Sequence, residues 1–207
     1  MEIYIVPDSG RYFACNTYIV AKNGQGIVID AGMDYSEISA YAKSKNITLR
    51  ACFLTHAHFD HIRGAKQMQN DKITVYVSKK DAPKTNDDSL NCGSVFGEPV
   101  EPFVADCLLE DGQVVNQIGL NVKVVLTSGH TCGSVCYFIS DENAYINGES
   151  CHNDIIFTGD TLFYQGYGRV DLPTGDWGQL KGSLKRLMNL EKKYLALCGH
   201  GECFILE

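Results

Sequence analysis

The sequence predicts a mixed α/β domain in which two β-sheets pack face to face with helices on their outer faces. Three observations point there. Short apolar runs bounded by Gly, Asn and Asp recur along the 207 residues. Stretches with helical spacing interrupt them. The back half then repeats the grammar of the front. At 44% hydrophobic content the chain is long enough to bury one core shared by two sheets. No low-complexity tract and no Pro- or Ser-rich linker divides it, so a single domain over 1–207 is expected.

In chain order, "IYIV" near residue 3, "TYIVA" near 17 and "GIVIDAG" near 26 have the composition of strands. Between Asp34 and Lys45 the apolar Ile38, Tyr41 and Ala42 fall at helical spacing, and Asp34 is placed to cap the start. Strands resume with "ACFLT" at 51 and "ITVYVS" at 73. In the back half "LNVKVVLTSG", "SVCYFIS" and "DIIFTGD" are strands. "DWGQLKGSLKRLMNL" is a helix with Leu180, Leu184 and Leu187 as its apolar stripe, and "KYLALCGH" is a further strand.

Charge excludes some functions. A net charge of -7 with only 18 Lys and Arg, and no basic run longer than two, lacks the concentrated basic face that phosphate backbones require. Nucleic acid is therefore not an expected partner. The start "MEIYIVPDSG" carries an acid at position two and turns at Pro7 and Gly10 after one short apolar run, unlike a signal peptide or a membrane span. A cytosolic protein with no membrane partner is expected. The nine cysteines are odd in number and scattered, which suits reduced, mostly structural thiols. Cys132 and Cys136 have three residues between them, and Cys198 and Cys203 flank a histidine. Neither pair has the spacing of a zinc knuckle.

The chemistry sits at strand ends. "LTHAHFDHIRG", residues 54–64, holds three of the six histidines and an aspartate. His56, His58, Asp60 and His61 follow one apolar run; His130, Asp160 and His200 each follow another. Strand-end loops are where a rigid scaffold carries a site. Imidazole with carboxylate is ligand chemistry for zinc, iron or manganese. Seven N and O donors are too many for one tetrahedral ion and suit two, whereas structural zinc sites rarely use two carboxylates. There is no G-x-S-x-G elbow and no Cys/His pair with a motif behind it. A water activated by two divalent metal ions is thus the expected nucleophile, with Asp60 as catalytic proton carrier.

The motifs "THAHFDH", "GHTCGSVCYF", "FTGDTLF" and "CGHGE" resemble, in order and spacing, those of the metallo-β-lactamase-fold hydrolases, most closely the glyoxalase II-like (hydroxyacylglutathione hydrolase-like) branch. The resemblance runs from "GIVIDAG" to "GHG". It implies an αββα sandwich, in agreement with the strand and helix pattern. It further implies that His56, His58 and His130 hold a first metal, that Asp60, His61 and His200 hold a second, and that Asp160 bridges them. Zinc is the implied metal, with iron or manganese as alternatives. The full H-x-H-x-D-H favours a two-metal hydrolase over the lactamase branch that gives the His61 position to another residue. The implied function is hydrolysis of a small thioester or ester, S-lactoylglutathione-like, by a hydroxide held between the metals.

Departures from the family bear on substrate. Full-size glyoxalase II enzymes have a helical C-terminal region that supplies much of the glutathione site, and here the sequence stops seven residues after His200. "QGYGRVDLPTGDW" resembles compact bacterial-type members. It also resembles the persulfide dioxygenases of the same fold, where one iron sits at positions matching His56, His130 and Asp160. An iron dioxygenase is therefore the alternative enzyme, and a non-catalytic metal-binding module the third reading. Arg169 is the candidate for meeting a substrate carboxylate, although pinning its own loop to a buried acid is the favoured role. His152, in "SDENAYINGESCHND", is expected on a solvated hairpin outside the site. Cys132 stands where relatives often have proline and is not expected to bind metal.

Overall fold

Alternation along each strand decides which sheet face is buried, and here both faces of the central strands are apolar. The computed structural model describes residues 1–7, 10, 13–141 and 143–207. The front of the chain forms β1 (Glu2–Ile5), β2 (Tyr18–Lys22), β3 (Gln25–Ile29), helix α1 (Tyr35–Ser44), β4 (Thr48–Phe53), α2 (Phe59–Ile62), α3 (Ala65–Asn70), β5 (Thr74–Ser78), α4 (Gly93–Phe96) and β6 (Cys107–Leu109). The back forms β7 (Val114–Gln117), β8 (Leu120–Leu126), β9 (Val135–Ile139), β10 (Ala144–Ile146), β11 (Glu149–Cys151), β12 (Asp154–Gly159), α5 (Trp177–Met188), β13 (Tyr194–Cys198) and β14 (Phe204–Leu206). Every strand and helix read from the sequence is present. Asp34 occupies the N-cap of α1 as expected. However, it caps through its carbonyl, which receives Glu37 N–H at 3.0 Å, and its side chain makes no cap bond.

Two mixed sheets result, an eight-stranded one ordered β11-β10-β1-β2-β3-β4-β5-β6 and a six-stranded one ordered β14-β13-β12-β9-β8-β7. Between them lies a core containing Ile3, Tyr18, Ile27, Phe53, Val124, Tyr137, Phe157 and Leu197. Tyr18 meets Phe157 and Phe53 meets Tyr137 edge-on across the sheets. Each such ring contributes roughly 2–3 kcal/mol by leaving water. The opposite face of the first sheet buries Val28, Cys52 and Val75 against Ile38 and Ala42 of α1 and Met68 of α3. The outer face of the second buries Ile156 and Ala196 against Leu187 of α5. The order is helix, sheet, sheet, helix. The two halves do not separate cleanly, because the β10–β11 hairpin returns to the first sheet and lies parallel to β1.

Topology places the site. Strands β3, β4 and β5 run parallel, so their C-terminal ends share one edge of the first sheet. In the second sheet β12 and β13 are parallel, and β8 points the same way because both flank the antiparallel β9. Consequently Asp30, the 55–61 loop and Asp81 leave one sheet beside the place where the 127–134 loop, Asp160 and His200 leave the other. No helix among the described residues is long and apolar enough to cross a membrane.

Candidate metal centre

The loop after β4 is built to present four donors. His58 is still extended (φ -76°, ψ 152°), and α2 starts at the next residue. His56 and His58, two apart, therefore face one side before the helical turn swings Asp60 and His61 to the next. The structure brings all seven residues singled out in the sequence together. His130 Nε2 lies 3.2 Å from His56 Nε2 and 2.9 Å from His58 Nδ1. Asp60 Oδ2 lies 3.2 Å from His200 Nε2 and 3.8 Å from His61 Nε2. Asp160 stands between the sets, with Oδ1 3.3 Å from His61 Nε2 and Oδ2 3.6 Å from both His130 Nε2 and His200 Nε2.

Outer hydrogen bonds fix which ring nitrogens point inward with a lone pair. His130 Nδ1 faces the Arg169 carbonyl at 2.8 Å, an oxygen that only accepts, so the proton is on Nδ1 and Nε2 is free. Thr55 Oγ1 donates to Asp30 at 2.7 Å, so at 3.2 Å it can only accept from His56 Nδ1, again freeing Nε2. His61 Nδ1 donates to Asp30 Oδ2 at 2.9 Å. Two lone pairs, on His56 and His130, thus confront each other with no proton between them. Among the described residues the buried His58 Nε2, His61 Nε2 and Asp160 Oδ1 have no hydrogen-bond partner. Such an arrangement is unfavourable alone and is resolved by cations. Its donors are imidazole and carboxylate, so the residues present fit divalent metal ions.

Electrostatics divide the site in the same way. Burial, reinforced by neighbouring imidazoles, holds His56 well below the ordinary histidine range, and burial with His130 takes His58 down to about 3. Both are neutral donors at physiological pH. Burial opposes charge on His61 as well, but Cys15, Asp30, Asp160 and Asp60 surround it and push it well above its usual value. His200 is raised against its own burial by the Asp60 hydrogen bond and Asp160. Burial favours neutral Asp60 and Asp160, but His61 and His200 outweigh it and hold both below the usual carboxylate range.

Three supporting residues were not singled out in the sequence. Asp30, at the end of β3, accepts from Thr55 N, Thr55 Oγ1 and His61 Nδ1. Its left-handed backbone (φ 57°) costs on the order of 1 kcal/mol and aims the carboxylate under the loop. Cys15 is buried beside it, its sulfur grouped with Asp30 and His61. Asp81 is fully buried and ties the two histidine loops together. Glycines give the clearance: a Cβ on Gly199 would sit 2.2 Å from Asp160 Oδ1, and one on Gly168 1.9 Å from the Asp160 carbonyl oxygen.

A cavity of about 420 Å³ opens onto the donors, walled by Phe13, Phe59 and Phe96, with Arg169 and Leu172 also lining it. The three rings pack at centroid distances of 5.3–5.7 Å. A larger depression of about 860 Å³, lined by Tyr4, Lys22, Lys45 and Asp141, touches none of the seven donors. Arg169 pairs through Nε and an Nη with Asp171, both at 2.7 Å. The acid it pins is exposed, not buried as the loop-pinning reading supposed. Cys132 lies outside every donor group among the described residues, and all nine cysteines are free. His152 is exposed and outside the site as expected, but it lies just past β11 in the link to β12 of the other sheet and not on the β10–β11 hairpin. His152→Ala should leave metal content and turnover within about a factor of two, as for a surface position lacking a special mechanism. Elemental analysis with a rate assay checks it.

Residues 10–149 and 152–200 match the family model described as the metallo-beta-lactamase superfamily. Among curated proteins, a probable metallo-hydrolase, YqgX of Bacillus subtilis (strain 168), is 35% identical over 190 residues, covering 90% of this chain and 84% of that one. The hydroxyacylglutathione hydrolase GloC of Haemophilus influenzae is 27% identical, covering 97% and 91%. Among solved structures, the B3 metallo-beta-lactamase BLEG-1 superposes with a TM-score of 0.86 at 28% identity, covering 99% of this chain and 94% of that one. TTHA1623 in a di-iron-bound form gives 0.80 at 28% identity, covering 97% and 94%.

Proposed function

The chain belongs to the metallo-beta-lactamase superfamily, and from that premise we propose that it is a two-metal hydrolase of small thioesters or esters, S-lactoylglutathione-like in class. The observation that carries the reading is that the donors form two groups, His56, His58 and His130 on one side and Asp60, His61 and His200 on the other, with Asp160 facing both. The first group would hold one ion, the second the other, and Asp160 would serve both. Bound there, a pair of divalent ions lowers the pKa of a shared water and polarises a carbonyl.

The remaining work falls to the chain itself. Asp30 and the Arg169 carbonyl each accept the Nδ1 proton of an imidazole, of His61 and His130 respectively, and so hold each ring with Nε2 turned towards the other donors. Phe13, Phe59 and Phe96 give the cavity an apolar wall against which the uncharged part of a substrate would pack. Asp60 lies on the cavity wall beside His200 and is the carboxylate placed to carry a proton. Arg169 reaches a substrate carboxylate only by exchanging it for Asp171. Free cysteines throughout support a reducing, cytosolic setting. The relative named hydroxyacylglutathione hydrolase supports the thioester class, and the di-iron form of a structural neighbour keeps iron beside zinc as the resident metal. The test is metal analysis with S-lactoylglutathione and simple aryl ester assays on the metal-loaded protein. About two ions per chain and chelator-sensitive hydrolysis are expected. Two bound ions with no hydrolysis of either class would overturn the reading.

A further inference from the structure

We infer that Asp81 is a positioning residue for the first-metal ligands, holding the histidine loops of the two sheets in common register through its buried carboxylate; the inference rests on the metal assignment proposed above. Asp81 leaves the end of β5, and its side chain is 0% exposed. Oδ2 accepts the Ala57 N–H at 3.0 Å and the Thr131 hydroxyl at 2.8 Å, and Oδ1 accepts the Gly133 N–H at 3.0 Å. Ala57 lies between His56 and His58, and Thr131 follows His130. One carboxylate therefore grips the chain beside all three histidines of the first group, from loops that belong to different sheets.

The fit is close. A Cβ at Gly133 would stand 2.5 Å from Asp81 N and 2.6 Å from Oδ1, so the second loop rests directly on this residue. Lys84, equally buried in the short 3₁₀ turn Ala82–Asn86, supplies the countercharge at 3.0 Å from Oδ1. Asp30 holds His61 Nδ1 of the second group and also reaches His56 through Thr55. The hydrogen bonds of Asp81 to Ala57, Thr131 and Gly133 go to the loops of the first group, so loosening it should be felt mainly at the first metal.

Stability alone does not explain the pair. A buried ion pair gives little net stability over apolar residues of the same volume, whereas an apolar side chain cannot accept hydrogen bonds from Ala57, Thr131 and Gly133. The experiment exploits that difference by comparing the full-length protein with the double variant Asp81→Leu/Lys84→Met, which removes both charges, and with Gly133→Ala, which keeps them but lifts the 131–133 loop away from Asp81. Zinc affinity is measured by competition with a chromophoric chelator, and folding by thermal melting. Both variants are expected to melt cooperatively yet to lose about 10–100-fold in one zinc-binding step, the size seen when outer supports of a metal site are removed. The other step should stay close to that of the parent. Repeating the double change in a His61→Ala chain assigns the weakened step to the first position. If the double variant does not fold, Gly133→Ala alone decides. A folded variant that binds both ions as tightly as the parent, or weakens both equally, overturns the positioning role. A parent that binds no pair of ions overturns the metal assignment instead.

Discussion

Asp160→Ala is expected to emerge from purification with both metal positions empty, not one. The carboxylate is shared: Oδ1 faces His61, and Oδ2 faces His130 and His200. Removing it leaves a first group of three imidazoles with no carboxylate and a second group whose only carboxylate is Asp60, so part of the charge neutralisation disappears at each position. Loss of a direct, shared donor should exceed the 10–100-fold typical of outer supports, roughly 100-fold or more for each ion, and hydrolysis should fall to background. The chain should still fold, because among the described residues the Asp160 side chain pairs only with the site histidines His61, His130 and His200. Its neighbour Thr158 continues to anchor the β12 end through Leu162 O at 2.8 Å. Inductively coupled plasma analysis after dialysis checks the stoichiometry. A variant that keeps a full pair of ions ends the shared-carboxylate assignment.

How much of this was legible follows the length scale of each signal. Strands buried on both faces, such as β12 with Ile155, Ile156 and Phe157, leave unbroken apolar runs that any reading finds. The three-residue β6, β10, β11 and β14 carry too few positions for a period to show; β6, β10 and β14 form on the edge of a longer neighbour, and β11 by folding back on β10. The seven donors were legible because imidazole is scarce and each stands just past a strand. Asp30 and Asp81 stand just past strands as well, in "IVIDAG" and "YVSKKD", and were missed because aspartate is common in turns and their role is to hold other residues. Position relative to strand ends was the available signal for both. The partner of Arg169 was not legible, since whether a loop arginine meets a buried acid or the exposed Asp171 two residues on depends on the course of the loop.

His61→Ala addresses what the site does with its second position. His61 is fully buried and reaches Asp30 on one side while turning an unpartnered Nε2 towards Asp160 on the other. Alanine there leaves a cavity and takes one bond from Asp30, which keeps both bonds to Thr55, so the cost is a few kcal/mol at most and the fold survives. The second position then retains Asp60, His200 and a share of Asp160, too little to hold an ion well, while His56, His58 and His130 are untouched. A one-metal protein is expected. Thioester hydrolysis should drop by roughly two or more orders of magnitude, because water activation and carbonyl polarisation no longer have two ions between them. An iron oxygenase resting on His56, His130 and Asp160 responds differently: the variant keeps its iron and much of its persulfide-dependent oxygen uptake. Metal stoichiometry, S-lactoylglutathione hydrolysis and oxygen consumption measured on this one variant separate the two enzymes. Hydrolysis equal to that of the parent would remove the two-metal hydrolase from consideration, since the second ion would then have no part in the reaction its ligands were assembled to support.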